Sequence, residues 1–555
     1  GDFISGGLGA DTLTGGNDAD WFAFSNIDPS VVAGGTYSNA ADAGRNLDRI
    51  TDFVSGVDHL VFRLSGSHVD ASGFEVFGGG LPLGNGTIGD GYYQSANAMI
   101  YLDGNGNGNF TDADDYVVSV GAVAATDLQF DIYGTSDADL LVGGVGGDTI
   151  FGDDGDDVIV GGLGSDSLTG GAGADVFVFA GAVESTERDG IQLPDVITDF
   201  VSGVDHVRFA LTGHRVDVST FASFATFDGA PESLSGADPD AEFDVAGDGY
   251  YVKDASKISI DVNGDGMMDI GDFVVLLSEN VAFAATDLQF DITGTDADEG
   301  DSLVGGGGRD TIYGGAGNDY IHGGGGGDSV DGGDGVDTLS YTNSANELAM
   351  HSARSIVINN TAETISASTI YGNSGEFLAD GHGHLSAGLA AGSTGYLALD
   401  EDTVVVGDTF VNIENLTGSP LADFIYGGDG NHVITGGGGD DLIFLGTGKT
   451  TVMVGSAMTN GVDVIYNFGN DDLILSGTTV DSYLTQVTGG SIDDALSNFS
   501  NATGTVYGFQ FEDGRSYVLI NSGQLTYDAA EDTLIELVGT DLNQLGINNF
   551  VSIPV

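Results

Sequence analysis

Cysteine is absent from the 555 residues, and basic residues are scarce: 12 Lys plus Arg stand against 85 Asp plus Glu, a formal net charge of −73. The first absence excludes disulfide bracing and thiolate metal sites, and it fits a secreted bacterial protein. The second excludes nucleic acid, whose phosphates would be repelled, and binding to an anionic membrane surface. No apolar run reaches the length that spans a bilayer, so membrane insertion is not expected. H-E-x-x-H, G-x-S-x-G and a Walker-type phosphate loop are also missing, and there is no Cys nucleophile. Carboxylate pairs are too numerous for any one to mark glycosidase chemistry. No catalytic residue is assigned, and the chain is read as a non-enzyme.

What the chain has in abundance is glycine (94 residues) and apolar residues (41%, with 30 Phe and 19 Tyr). An acidic, glycine-rich chain tends to disorder, yet this one holds enough apolar material for packed cores and enough length for several domains. The natural partner of such a charge is a cation.

Residues 143–178 show how these features combine. Cut every nine residues they read GGVGGDTIF, GDDGDDVIV, GGLGSDSLT, GGAGADVFV. The sixth position is always Asp (Asp148, Asp157, Asp166, Asp175), with Asp139 one repeat earlier. The eighth is always apolar (Ile150, Ile159, Leu168, Phe177). This G-G-x-G-x-D-x-U-x pattern is that of calcium-binding parallel β-helix repeats. Glycines allow a tight turn, turn carbonyls and the Asp carboxylate supply hard oxygen ligands for Ca²⁺, and x-U-x is a short strand with U inward. Residues 6–24 carry Asp11 and Asp20 in this role. Residues 305–341 carry Asp310, Asp319, Asp328 and Asp337, and residues 418–444 carry Asp423 and Asp440. His432 takes the Asp slot of its repeat, so that turn is expected to lack a full site. The fixed phase between Asp and the apolar residue argues against a flexible linker. A cation would offset both carboxylate repulsion and glycine entropy, and metal-free segments are expected to be largely unfolded. At free calcium about a hundredfold above its dissociation constant, each site adds about 2.7 kcal/mol.

A larger duplication overlies the repeats. ITDFVSGVDH occurs at 50–59 and 197–206, GDGYY at 89–93 and 247–251, and AATDLQFDI at 124–132 and 284–292. DVIYNFGNDDLIL at 463–475 is a weaker third echo, with Asn467 in place of Asp199. Each copy also contains a loop with EF-hand spacing. The first is DGNGNGNFTDAD, offering Asp103, Asn105, Asn107, Asn109 and Asp114. The second is DVNGDGMMDIGD, offering Asp261, Asn263, Asp265, Asp269 and Asp272. A short Asp at position twelve, where a bidentate Glu is usual, is expected to weaken binding. The flanks AMIYL and YVVSV read as strands, which places the loop in a β-hairpin. In the segment 342–417, Asp380, His382 and His384 would share one face of a strand, an arrangement that suits zinc or copper. A solvated glycine-rich loop is the blander reading of them. The lone Trp21 is read as packing.

The nonapeptides resemble the RTX (hemolysin-type calcium-binding) family, in which two nonapeptides form one turn of a parallel β-roll with calcium between turns. The run ADVFVF…PDVITDFVSGVDH…ISIDVNGDGMMDIGDFVVLL, and residues 19–133 likewise, is similar to the C-terminal module of serralysin metalloproteases. That resemblance implies that Asp52, Asp58, Asp199 and Asp205 are calcium or cap residues; without H-E-x-x-H it carries no peptidase activity. YGFQFEDGRSYVLINS and DTLIELVGTDLNQLGINNFVSIPV are similar to the termini of type I-secreted surface-layer proteins. There an uncleaved C-terminal signal directs export of an unfolded chain, which folds where calcium is abundant.

The expected fold is all-β, with parallel β-roll blocks alternating with β-sandwich-like serralysin C-terminal-type modules. The blocks are 1–24, 134–179, 294–341 and 418–454, and the calcium-loop modules are 25–133 and 180–293. A β-rich insertion (342–417) and a C-terminal β domain with the export signal (455–555) complete the chain. Gly1 falls inside a repeat, so the start is read as a processing boundary. The expected function is that of a secreted or cell-surface calcium-dependent structural protein, a surface layer or extracellular filament. Its partners would be copies of itself, the type I secretion machinery and cell-surface polysaccharide. The alternatives are the calcium-binding and export tail of a larger extracellular hydrolase, protease or adhesin, or a glycan-binding module.

Overall fold

The computed structural model describes residues 1–6, 11–25, 48–77, 87–95, 98–107, 116–180, 187–188, 191–192, 194–219, 222–224, 249–252, 256–262, 273–277, 281, 283–295, 300–341, 356–359, 393–397, 404–420, 423–454, 462–469, 472–476, 483–486, 496, 506–511, 515–520, 533–540, 542, 545 and 549–552. Among them the chain is all-β, with short 3₁₀ turns at Ala125–Asp127 and Ala285–Asp287. It forms two compact units, residues 1–211 with 220–289, and residues 212–219 with 290–555.

In the first unit the nonapeptide period becomes a roll. Leu140–Val142 lies parallel to Val158–Val160, and that strand to Val176–Phe179, with Leu141 opposite Ile159 and Ile159 opposite Phe177. On the other face Leu128–Tyr133, Thr149–Asp154 and Ser167–Ala172 are parallel neighbours, with Ile132, Ile150 and Leu168 in line. Alternate nonapeptides therefore feed alternate sheets, two per turn. The inward residues Leu141, Ile159, Phe177, Ile132, Ile150 and Leu168 are all fully buried. Each contributes about 1.5–3 kcal/mol by burial, so the fixed phase of the eighth position forms a continuous ladder.

The duplicated modules do not interrupt the roll. Phe3–Ile4, Trp21–Ser25, His59–Ser65, Leu128–Tyr133 and Thr149–Asp154 are successive parallel neighbours of one sheet. Strands of the first module thus serve as rungs. On the other face the module adds a hairpin: Met99–Leu102 pairs antiparallel with Tyr116–Ser119, which in turn lies parallel to Asp48–Ile50. The second copy repeats this arrangement, with Lys257–Ile260 antiparallel to Phe273–Leu277 and the latter parallel to Asp195–Ile197. Both calcium-loop sequences therefore connect hairpin strands, as the flanks implied. Trp21 begins a rung and stacks on His59 at 5.4 Å between ring centroids.

The second unit carries a nine-stranded sheet running from Arg215–Asp217 through Ser302–Val304, Tyr320–His322 and Thr338–Ser340 to Phe550–Ser552. Asn415–Thr417, the lead-in to the last repeats, is one of its rungs. Ile356–Asn359, Ser393–Leu397 and Val404–Val411 form an antiparallel meander within 342–417. The C-terminal strands Val506–Gln510, Ser516–Ile520 and Thr533–Val538 are also antiparallel, and the last joins Val462–Tyr466 in parallel. Phe509, Phe511, Tyr517, Leu519 and Leu534 close the core there.

Candidate metal centre

The sixth-position Asp side chains line the turns in two rows, one at each edge of the roll. Each spans to the next rung through one oxygen. Asp157 Oδ1 accepts the Asp139 N–H at 2.9 Å, Asp166 Oδ1 that of Asp148 at 2.7 Å, and Asp175 Oδ1 that of Asp157 at 3.0 Å. The second unit repeats the ladder with Asp319 on Asp301, Asp328 on Asp310, Asp337 on Asp319 and Asp441 on Asp423. The nonapeptide period places these groups one rung apart, about 4.8 Å. Like charges at that spacing repel by about 3 kcal/mol at an effective dielectric of 20.

The other oxygen is the informative one. Oδ2 of Asp11, Asp20, Asp157, Asp175, Asp319, Asp337 and Asp441 is buried with no hydrogen-bond partner. Burial pushes the Asp175 and Asp337 carboxyls up to about 6 and Asp441 to about 9, with Asp423 and Asp463 nearby adding to it. Each Oδ2 faces the first glycine of its own repeat, so a Cβ built on Gly152 would fall within 3.0 Å of both Asp157 Oδ2 and the Gly170 carbonyl oxygen. Gly332 meets Asp337 and the Asn412 carbonyl in the same way, and Gly314 meets Asp319 and the Gly332 carbonyl. Orphaned carboxylate oxygens beside stacked carbonyls are a hard-oxygen donor set that fits Ca²⁺. Among the described residues no three His, Asp or Glu side chains converge on one point, so the turn carbonyls must supply the remaining ligands.

Other assigned residues have different places. Asp440 sits at the fifth position and is exposed, its Oδ1 accepting the Val462 N–H; the sixth-position carboxylate is Asp441. Two nonapeptides on from Asp423 is Asp441, not Asp440, and buried Ile443 two residues later keeps the same phase. Asp52 and Asp199 are caps: their two oxygens accept the N–H groups of Gly15 and Gly16, and of Gly170 and Gly171. Asp58 and Asp205 are also fully used by main-chain donors, Asp20 and Val54 in one copy and Asp175 and Val201 in the other. All four thus cap main-chain N–H groups, one of the two roles that the resemblance implies for them. Asn467, in the echo, cannot replace Asp199, because its amide instead donates to the Leu445 carbonyl.

His432 places its Nδ1 on the Glu414 carbonyl at 2.7 Å, which leaves a buried Nε2 without a partner where other repeats present Oδ2. In the first hairpin loop Asp103 is fully buried and its Oδ1 accepts the N–H groups of Asn105 and Gly106, while Asn105 Oδ1 accepts that of Asn107. Asp261 is equally buried at the start of the second. Asn109, Asp114, Asn263, Asp265, Asp269, Asp272 and the Asp380, His382, His384 group lie outside the described residues.

Sequence reasoning missed Asp48, Asp195, Asp301, Asp463 and Asp472. All are buried, and all but Asp301 accept a main-chain N–H from an earlier rung. Their spacings of 22 to 37 residues from the partner hide them from a nine-residue scan. The signal was the Asp-x-U triplet itself, as in DRI, DVI and DLI.

Ladder, burial and orphaned oxygens together define a parallel β-roll whose turns fit a bound cation. The comparisons specify the cation. Residues 1–25, 133–168, 152–181, 304–339 and 417–452 match the RTX calcium-binding nonapeptide repeat (4 copies); these segments are RTX repeats, and calcium is the metal such repeats bind. Among solved structures the chain is similar to the AlgE6R3 subunit of the mannuronan C5-epimerase of Azotobacter vinelandii. The identity is 26% over 30% of this chain and 83% of that one, with a TM-score of 0.18. No curated protein sequence matches the chain.

Proposed function

We propose that the chain is a secreted, non-enzymatic structural protein that folds on calcium after type I export and assembles with copies of itself at the cell surface, as a layer or filament. RTX-repeat proteins are typically secreted, and scarce calcium inside the cell would keep such a chain unfolded for export. The observation that carries the assembly reading is a duplicated apolar tip. Val54 and Val57 are 51% and 41% exposed, and Val201 and Val204 are 52% and 42% exposed, on the same turn of the two modules. Each turn is pinned. Gly56 N–H and Ser55 Oγ donate to Asp127 in one copy, and Gly203 N–H and Ser202 Oγ to Asp287 in the other. A pre-ordered apolar tip loses little entropy on docking, and two copies per chain suit head-to-tail contacts that propagate. A net charge of −73 opposes such contacts until calcium offsets it.

Electron microscopy of the purified protein in millimolar calcium is expected to show regular arrays that disperse in EGTA. The double variant Val54→Asp, Val201→Asp should keep the wild-type circular dichroism and stay dispersed. Wild-type protein that remains monomeric in calcium overturns the assembly reading.

A further inference from the structure

The sixth-position carboxylates fall into two groups, and the difference lies in the second residue of each repeat. In the turns whose Asp Oδ2 is orphaned, that residue has a left-handed backbone: Gly16 (φ +119°), Gly171 (+105°), Gly315 (+104°), Gly333 (+93°) and Gly437 (+107°). Asp153, at φ +81°, holds the same place in the repeat of Asp157; it is a costly conformation that Asp tolerates better than most residues. This backbone turns the second N–H away from the repeat's own carboxylate. In the last repeat before each module that N–H goes instead to Asp52 or Asp199.

The repeats that open the blocks 134–179, 294–341 and 418–454 do the opposite. Thr135 N–H donates to Asp139 Oδ2, Gly144 N–H to Asp148 Oδ2 at 2.6 Å, Thr295 N–H to Asp301 Oδ2 at 2.5 Å, Gly306 N–H to Asp310 Oδ2 at 2.6 Å and Ser419 N–H to Asp423 Oδ2 at 2.6 Å. None of these five second residues has a positive φ. In three of them a hydroxyl adds a donor: Thr135 Oγ1 to Asp139 Oδ1 at 3.0 Å, Ser419 Oγ to Asp423 Oδ1 at 2.9 Å, and Thr295 Oγ1 to both oxygens of Asp301, at 3.3 Å from Oδ1 and 3.2 Å from Oδ2. His214 Nδ1 also lies 2.6 Å from Asp301 Oδ1. A β-branched Thr at the second position strongly resists the left-handed backbone, so at Thr135 and Thr295 the sequence locks the turn in the form that satisfies its own carboxylate.

We infer that Asp139, Asp148, Asp301, Asp310 and Asp423 close starter turns that take no cation through Oδ2. Calcium is confined to the turns whose second residue is left-handed, and Thr135, Thr295 and Ser419 hold the opening turn of their own blocks out of that form. The inference rests on the calcium reading of the repeats and adds to it which turns are loaded. A carboxylate oxygen already accepting a main-chain N–H, and in three turns flanked by a hydroxyl donor, has exchanged the cation for protein donors.

Two measurements test this. The first is an anomalous difference map from crystals of the wild-type chain grown with calcium replaced by terbium. Peaks are expected beside Oδ2 of Asp157, Asp175, Asp319, Asp337 and Asp441, with none beside Oδ2 of Asp139, Asp301 and Asp423. A peak on any of these last three overturns the inference. Absence of peaks from the first five contradicts the calcium reading itself. The second counts calcium per chain by equilibrium dialysis, with circular dichroism on the same samples. Asp157→Asn and Asp319→Asn should each lose at least one ion, whereas Thr135→Ala and Thr295→Ala, which keep the carboxylate, should lose none. Loss of an ion from the threonine variants with an unchanged spectrum would show that those hydroxyls belong to a calcium site and would refute the assignment.

Discussion

Replacing Gly152 by alanine is expected to destabilise the first unit more than any exposed substitution, by about 3 kcal/mol or more, and to abolish calcium binding at its turn. The cause is crowding on two sides at once. The added methyl would fall within 3.0 Å of Asp157 Oδ2, the oxygen assigned to the cation, and of the Gly170 carbonyl one turn along. Neither can retreat, because Asp157 is held by the Asp139 N–H and the Gly170 peptide by Asp199. Gly203→Ala is the control. That glycine sits at φ +78° with nothing within 4 Å of a Cβ, so only backbone strain of about 1–2 kcal/mol is expected. Urea unfolding of both variants in calcium checks the difference; equal losses would mean that the first glycine of the repeat is present for its dihedral freedom and not for the space it leaves.

Metal-free and calcium-loaded protein are expected to respond to pH in opposite directions. In the metal-free roll burial raises the carboxyls of Asp175 and Asp337 to about 6 and that of Asp463 to about 7, above the ordinary unfolded value near 3.9. The folded metal-free state therefore binds more protons than the unfolded one. Its stability from these groups is fully present below pH ~4 and is lost as pH rises through about 6 to 7. Protons there do in part what a cation does at neutral pH: they remove buried negative charge. In excess calcium the same protons compete with the metal, so acidification releases ions and lowers stability. Metal-free protein, disordered at pH 7.5, should gain β-structure and a thermal transition on acidification to pH 4.5, while the calcium-loaded midpoint falls over the same range. Parallel curves would contradict the assignment of these carboxylates to cation sites.

Much of this was legible in the sequence, and the exceptions have physical reasons. The phase of Ile159, Leu168 and Phe177 against Asp157, Asp166 and Asp175 specified sheet, turn and candidate ligand together, because in a parallel roll one nine-residue step sets all three. The hairpins around Asp103 and Asp261 were also readable, from apolar strands flanking an oxygen-rich turn. The role of Asp48 and Asp195 as rungs was not, because long insertions separate them from their partners and only pairing in space restores the period. Nor was the difference between Asp139 and Asp157. Both occupy the sixth position, and what separates them is the direction of one N–H, set by Thr135 in one repeat and left-handed Asp153 in the other. The cap role of Asp52 and Asp199 follows from the same backbone, which turns two glycine N–H groups outward toward an anion.

Far-UV circular dichroism of chelated protein titrated with calcium at pH 7.5 tests the central claim most directly, that bound cations complete the core of this roll. The account predicts a disordered spectrum without metal and a cooperative gain of β-structure as the ion is added, unmatched by the same concentration of potassium. A chelated sample with the full β spectrum and the melting temperature of the loaded protein would contradict it.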